Sequence, residues 1–228
     1  MTSISANTLL ALILALGASP AISEEDPSFT HRDSFIAAHP SLFWLREGVR
    51  AHERARYSEA MTALRRSAWH ADKTAQAMIS QMLWNGEGVA RDRALAYVWA
   101  DLAAERGYLS FVATREQFWN ALDADERRAA LAAGPAIFDE YADAVAKPRE
   151  ERALRTARMR ITGSRLGHVG TLAVNEILPW GVVTTDGSIY YADKYWKPEP
   201  YWQWRDHAWK KLPEGKVEVG PIQIPPED

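Results

Sequence analysis

From Asp33 to Arg160 the apolar positions of the chain recur with a helical period almost without interruption. Ala96, Trp99, Ala100, Ala103 and Ala104 fall at i, i+3, i+4, i+7 and i+8, one face of an α-helix. Met78, Ile79, Met82 and Leu83 form the same kind of face on the helix before it. The segment between them, NGEGVARD, is too short for anything but an antiparallel hairpin. Gly86 and Gly88 allow positive φ where the first helix stops, and Asp92 stands where its carboxylate can cap the second. The alanines let a neighbouring backbone approach closely. Such a hairpin cannot bury both of its faces alone, so the pattern predicts further copies beside it.

A copy lies 36 residues upstream, in YSEAMTALRRSAWHAD. Ala60 and Ala68 occupy the places of Ala96 and Ala104, Ala63 that of Trp99, Ser67 that of Ala103, and Ala71 that of Gly107. Downstream, GYLSFVATREQFWNAL reads as the opening helix of a further unit whose second half has drifted. The stretch AQAMISQMLWNGEGVARDRALAYVWADLAAERG resembles a Sel1-like repeat. The matching marks are Gly86, Gly88 and Val89 in the turn, then Asp92, Ala96, Trp99, Ala103, Ala104 and closing Gly107. The best-matching repeat is 75–107, with a degenerate copy at about 40–71, together a third of the chain at most. The resemblance implies a mainly all-α, TPR-like solenoid of helical hairpins whose usual role is holding other proteins. It carries no catalytic residues. A dinucleotide-binding turn is excluded, because MLW before Gly86 ends an amphipathic helix and position 91 is Arg, not a third glycine.

Further along, Asp123 and Glu126 have the spacing of a capping box. Gly134-Pro135 is expected to kink or break the helix that follows, and Lys147-Pro148 to mark another boundary. REERALRTARMR then reads as one more helix, with Arg149, Arg152, Arg155, Arg158 and Arg160 against Glu150 and Glu151. A basic stripe of this kind binds nucleic acid or acidic lipid, or is a solvated face paired with the acid-rich helices upstream.

Past Arg160 the composition changes, and residues 161–228 form a distinct C-terminal region. TGSRLGHVG ends the helical part. TLAVNEIL and GVVTTDGSIYY are rich in β-branched and aromatic residues, and Asp186-Gly187 is a hairpin-turn signal between VVTT and SIYY. KVEV near residue 217 is a candidate for one more strand. The expectation is a small antiparallel β element packed on the helical body or wrapped around its end. Between the strands, YYADKYWKPEPYWQWRDHAW holds eight aromatic residues in 20. Two readings are open. Tyr195, Trp196, Trp202 and Trp204 stack on a glycan or anchor a partner, or the rings form a core that pins a segment made irregular by Pro198 and Pro200.

Composition narrows the classes. The 228 residues are 47% hydrophobic and 25% charged, values of a globular protein, and the net charge of −3 gives no global attraction for nucleic acid or an anionic membrane. With no cysteine, disulfides, thiolate zinc sites and a cysteine nucleophile are excluded. Residues 1–23 read as a signal peptide: the apolar run Leu9–Ala18 has the length of a secretory h-region, with Ala21 and Ser23 at −3 and −1 of a cut before Glu24. The other readings are a cut after Ala21, or an N-terminal helix belonging to the fold; MTSISAN carries no Lys or Arg. No later segment has 18 consecutive apolar residues, so no stable membrane insertion of the mature chain is expected. The histidines at 31, 39, 52, 70, 168 and 207 show no metal-ligand spacing, and no acid, base or nucleophile stands out. The expected protein is therefore a non-enzymatic bacterial one, periplasmic or secreted, with a repeat domain over 24–160 and no cofactor, metal or nucleic acid. Its expected partner is a protein or peptide, held on a concave face with Met78 and Met82. The alternative is a carbohydrate- or peptidoglycan-binding module that uses the aromatic tail on cell-wall glycan.

Overall fold

The computed structural model describes residues 27–162 and 172–210. The signal-peptide segment, the glycine-rich TGSRLGHVG and the KVEV candidate strand lie outside the described residues, except that Thr162 ends a helix.

A 3₁₀ turn at Ser28–His31 leads into α1 (Asp33–Ala37), α2 (Pro40–Glu53), α3 (Tyr57–Ala68), α4 (Lys73–Asn85) and α5 (Arg93–Ala103). After a second 3₁₀ turn come α6 (Leu109–Ala121), α7 (Ala124–Tyr141) and α8 (Asp143–Thr162). The rest comprises β1 (Ala173–Leu178), β2 (Gly181–Asp186), and α9 (Gly187–Tyr190), α10 (Asp193–Trp196) and α11 (Pro198–Lys210). The fold is mainly all-α, built from helical hairpins, with one small antiparallel sheet.

Helix starts follow local chemistry. Asp72 and Asp92 accept the Ala75 and Leu95 N–H groups, each at 2.8 Å, at the starts of α4 and α5. Asp123 and Glu126 form the expected capping box on α7. Gly86 ends α4 in the left-handed region at φ 76°, its N–H donating to Met82 O. Gly88, at φ 69°, is required twice over, since a Cβ there would lie 2.3 Å from the Tyr57 Cβ. That contact seats the α4–α5 turn on the first turn of α3.

The 36-residue repeat is present in three dimensions. Ala60 and Ala96 are fully buried, as are Ala68, Ala103, Ala104 and Ser67. The closing positions share an unusual backbone: Gly107 has φ 72° and Ala71, its counterpart, φ 63°. Hairpins α2–α3 and α4–α5 pack on each other through α3 and α4. In the third unit α6 and α7 both lie chiefly against α5, as expected of a drifted copy. The core at these contacts gathers Leu45, Leu64, Met78, Ile79, Met82, Trp99 and Leu102.

Four local expectations are corrected. Neither Gly134-Pro135 nor Lys147-Pro148 breaks a helix; α7 and α8 run through Pro135 and Pro148, and the boundary falls at Ala142. A proline deletes one N–H donor, and each helix continues through that single loss. The sheet pairs β1 with β2 from Ala173↔Asp186 to Leu178↔Gly181, so the turn is Pro179-Trp180 and not Asp186-Gly187. Asp186 instead caps α9, accepting from Ser188 N at 2.7 Å, and SIYY is mostly helical. Pro198 and Pro200 do not make the segment irregular, because both fall in the first turn of α11, where a missing N–H costs nothing.

Candidate functional site

The aromatic tail is the first place to look, and its rings point inward. Tyr195 and Trp196 are essentially inaccessible, and Trp202 and Trp204 are buried to within a tenth of their surface. They join Tyr190, Tyr191 and Tyr201 in a second core with Phe29, Phe35, Ile36 and Leu42 from the N-terminal helices and Ala146 and Leu154 from α8. Ring contacts are mostly edge-on: Phe35 meets Tyr190, Tyr195, Trp196 and Trp204 at centroid distances of 5.5–6.2 Å. The polar edges are bonded within the fold, Trp196 Nε1 to Tyr190 O at 2.7 Å and Trp202 Nε1 to Glu151 at 2.9 Å. A stacking platform must show a ring face to solvent, and these four show none. Of the two sequence readings, the structure has the packing one. Trp209, the last ring, is half-buried against Tyr108 and Phe111.

The described part of the tail packs on the helical body. Helix α11 lies along the repeats, across the first turns of α2, α4 and α6 in succession. Tyr201 Oη is 3.1 Å from Ser41 Oγ near the start of α2. Arg205 pairs with Asp72 at the start of α4, and Asp206 accepts from the Tyr108 hydroxyl, which adjoins α6. This strap is bonded through two adjoining polar groups.

The first group surrounds Glu150 of α8, which is fully buried. Its Oε1 accepts from Ser41 Oγ at 2.7 Å and Tyr201 Oη at 3.1 Å, and its Oε2 lies 3.0 Å from His70 Nδ1. Burial would raise this carboxyl, yet His70, Ser41 and His39 together hold it below its ordinary value. Burial, with Glu150 beside it, pushes the Tyr201 hydroxyl up. The second group surrounds Asp143. Arg106 binds it through two nitrogens, at 2.7 and 2.9 Å, and Lys73 Nζ lies 3.0 Å away. Burial opposes its ionisation, but the Arg106 bonds, then Lys73 and Lys147, hold Asp143 well below the usual carboxylate range. Buried Lys73, lowered by desolvation, is further held by Glu105 at 2.7 Å and Leu102 O at 3.0 Å.

These groups escaped the sequence reading. Asp72 alone left a signal, since it precedes α4 as Asp92 precedes α5. Nothing in spacing joins residues 41, 72, 150 and 205. Chemically the cluster is a lock: each acid is answered by a base or hydroxyl, and Ser41, Asp72, Lys73, Glu150, Tyr201 and Arg205 are buried. Among the described residues no three metal-ligating side chains converge. None of the described helices is long and apolar enough to cross a membrane.

The expected concave face is also corrected. Met78 and Met82 are core residues, and every residue of α4 from Lys73 to Leu83 is buried. Gln76 Nε2 donates to Tyr141 O at 3.2 Å, and the Lys73 and Asp72 bonds bring α8 and α11 over the same helix. Of the repeat-structural residues, Gly86, Gly88 and Gly107 have positive φ, Asp92 caps α5, and Ala96, Trp99, Ala103 and Ala104 are buried. What stays open is the outside. The β-hairpin holds Ile177, Trp180 and Val182 in solvent, Trp180 79% exposed at the turn. At its base Arg32 binds Glu176 at 2.7 Å and Ser34 donates to the same carboxylate. Trp69, 39% exposed, lies beyond the end of α3.

No family model matches the chain, and no curated protein does. Among solved structures, the chain is similar to a protective antigen present in uropathogenic Escherichia coli strains, described as displaying an SLR fold. The two are 18% identical with a TM-score of 0.43, over 65% of this chain and 33% of that one. The match thus spans about a third of the antigen's length.

Proposed function

We propose that the chain is an exported, non-catalytic interaction protein that holds a protein partner on its outer surface. The observation supporting this is the division of its side chains: the polar clusters around Glu150 and Asp143 are paired within the fold, while Ile177, Trp180 and Val182 project into solvent. A cluster of exposed apolar and aromatic side chains is the usual mark of a contact surface. The helical-hairpin repeat supplies the rigid support such a surface needs. Export rests on the signal-peptide reading of residues 1–23 and places the partner in the periplasm or outside the cell.

The test is affinity recovery of the tagged chain from Glu24 onward out of envelope and secreted fractions, with mass spectrometry of what it retains. One protein in near-stoichiometric amount, lost on Trp180→Ala with Ile177→Ser, supports the reading. Retention on insoluble wall material alone overturns it in favour of a glycan-binding protein.

A further inference from the structure

Where α3 ends, three arginines and a tryptophan meet. The Arg149 guanidinium of α8 stacks on Trp69, its Cζ 3.4 Å from the ring centroid. Its Nη1 donates to two backbone carbonyls, Glu140 O at 2.6 Å and Trp69 O at 3.3 Å. The side chain is thus fixed from the ends of α3 and α7 at once, while Nε and Nη2 have no acceptor among the described residues. Arg152, one turn further along α8, is exposed and has no ion-pair partner among the described residues; the same is true of Arg65 on α3. Glu140 beside them answers one of the three charges. Burial lowers Arg149, Glu140 and Tyr141 pull it back up, and the neighbouring Arg152 adds to the lowering.

An arginine stacked on an indole and pinned through one nitrogen presents the rest of its fork in a set direction, which suits a planar anion. The chain as a whole is acidic, at −3, so local surplus and not net charge draws an anion here. We propose that Arg65, Trp69, Arg149 and Arg152 form a carboxylate-recognition patch through which the protein partner docks an acidic segment. The proposal rests on the interaction reading above and adds the chemistry of the partner.

The test uses a fluorescein-labelled octaglutamate peptide and the full mature chain, read by fluorescence anisotropy over a salt series. Salt-sensitive binding is expected, weakened at least about tenfold by Arg65→Glu with Arg152→Glu and by Arg149→Lys, which keeps the charge but not the fork. Arg54→Glu, at an arginine likewise exposed on the α2–α3 turn, should change affinity less than about twofold. Unchanged melting temperatures in the exposed variants show that the fold is intact. Absence of peptide binding overturns the proposal, and so does an equal loss in Arg54→Glu. Binding to phosphatidylglycerol vesicles but not to the peptide also overturns it, making the patch a lipid site. A partner recovered equally by wild type and the Arg65→Glu, Arg152→Glu variant leaves the interaction reading standing and removes this site from it. Patch-dependent peptide binding with no protein recovered does the reverse.

Discussion

The Asp72 carboxylate serves two helices at once: Oδ1 accepts the Ala75 N–H that opens α4, and Oδ2 accepts from the Arg205 guanidinium of α11. Both residues are buried, so neither charge has water to fall back on. Arg205→Leu strands Asp72 and removes a cation from beside Glu150. The expected loss in urea unfolding is about 3–5 kcal/mol, the usual consequence of breaking one side of a buried pair. Asp72→Asn, which keeps an oxygen for the cap, should lose less than Asp72→Ala. If Arg205→Leu loses less than about 1 kcal/mol, the strap is a surface attachment and the lock assigned to it is wrong.

The aromatic tail makes a second prediction, by contrast between two tryptophans. Trp196 is 1% exposed and Trp180 79%. Trp196→Ala should cost about 3–5 kcal/mol through the cavity it leaves. Trp180→Ala should stay within about 0.5 kcal/mol. Denaturant midpoints of the two variants decide this. Equal, small losses would sink the core assignment and return the segment to the surface.

These contrasts mark what could be read from the chain alone. Helical hairpins, caps and the 36-residue repeat were legible because each depends on neighbours a turn or two away: Asp92 with Leu95, Gly86 with Met82, Asp123 with Glu126. The tail was not, because its signals serve two structures equally. Asp186-Gly187 suits a hairpin turn or a helix cap, and Pro198 and Pro200 suit an irregular segment or the first turn of a helix. Dense aromatic residues look the same whether they meet a sugar or Phe35. The Arg149–Trp69 stack joins residues 80 positions apart, and only the fold brings them together. The arginine stripe was visible, but Arg158 proves to pair with Asp193 while Arg152 stays exposed.

The glycines of the repeat offer a test that separates backbone strain from crowding. Gly107 has φ 72° and nothing within 4 Å of the place a Cβ would take. Gly107→Ala should therefore cost only the left-handed penalty, roughly 1 kcal/mol. Ala71 already sits in that conformation at the equivalent position, so the fold tolerates it. Gly88→Ala adds the clash with Tyr57 and should cost about 1–3 kcal/mol more. Thermal unfolding of the two single variants should rank them in that order. A Gly88→Ala chain as stable as Gly107→Ala would mean that the turn does not rest on α3.

His39 links the N-terminal helices to the tail, and it should make stability depend on pH. Its Nδ1 lies 2.7 Å from Phe35 O and its Nε2 3.0 Å from Tyr195 O, with the ring stacked on Phe35. Burial pushes the imidazole below its unfolded value of 6.5; the two carbonyls and Glu150 pull upward, and Arg205 downward. With the folded pKa the lower one, the unfolded chain binds more protons between that pKa and 6.5. The contribution of neutral His39 is complete above 6.5 and is lost as pH falls through the window below it. Urea unfolding of wild type and His39→Gln at pH 7.5 and at pH 5.5 should give a stability gap that narrows on acidification. Imidazole nitrogen shifts should show a ring more than half neutral at pH 6.5. A ring protonated there, with a gap that widens in acid, would mean that the two carbonyls outweigh burial and that the sign is reversed.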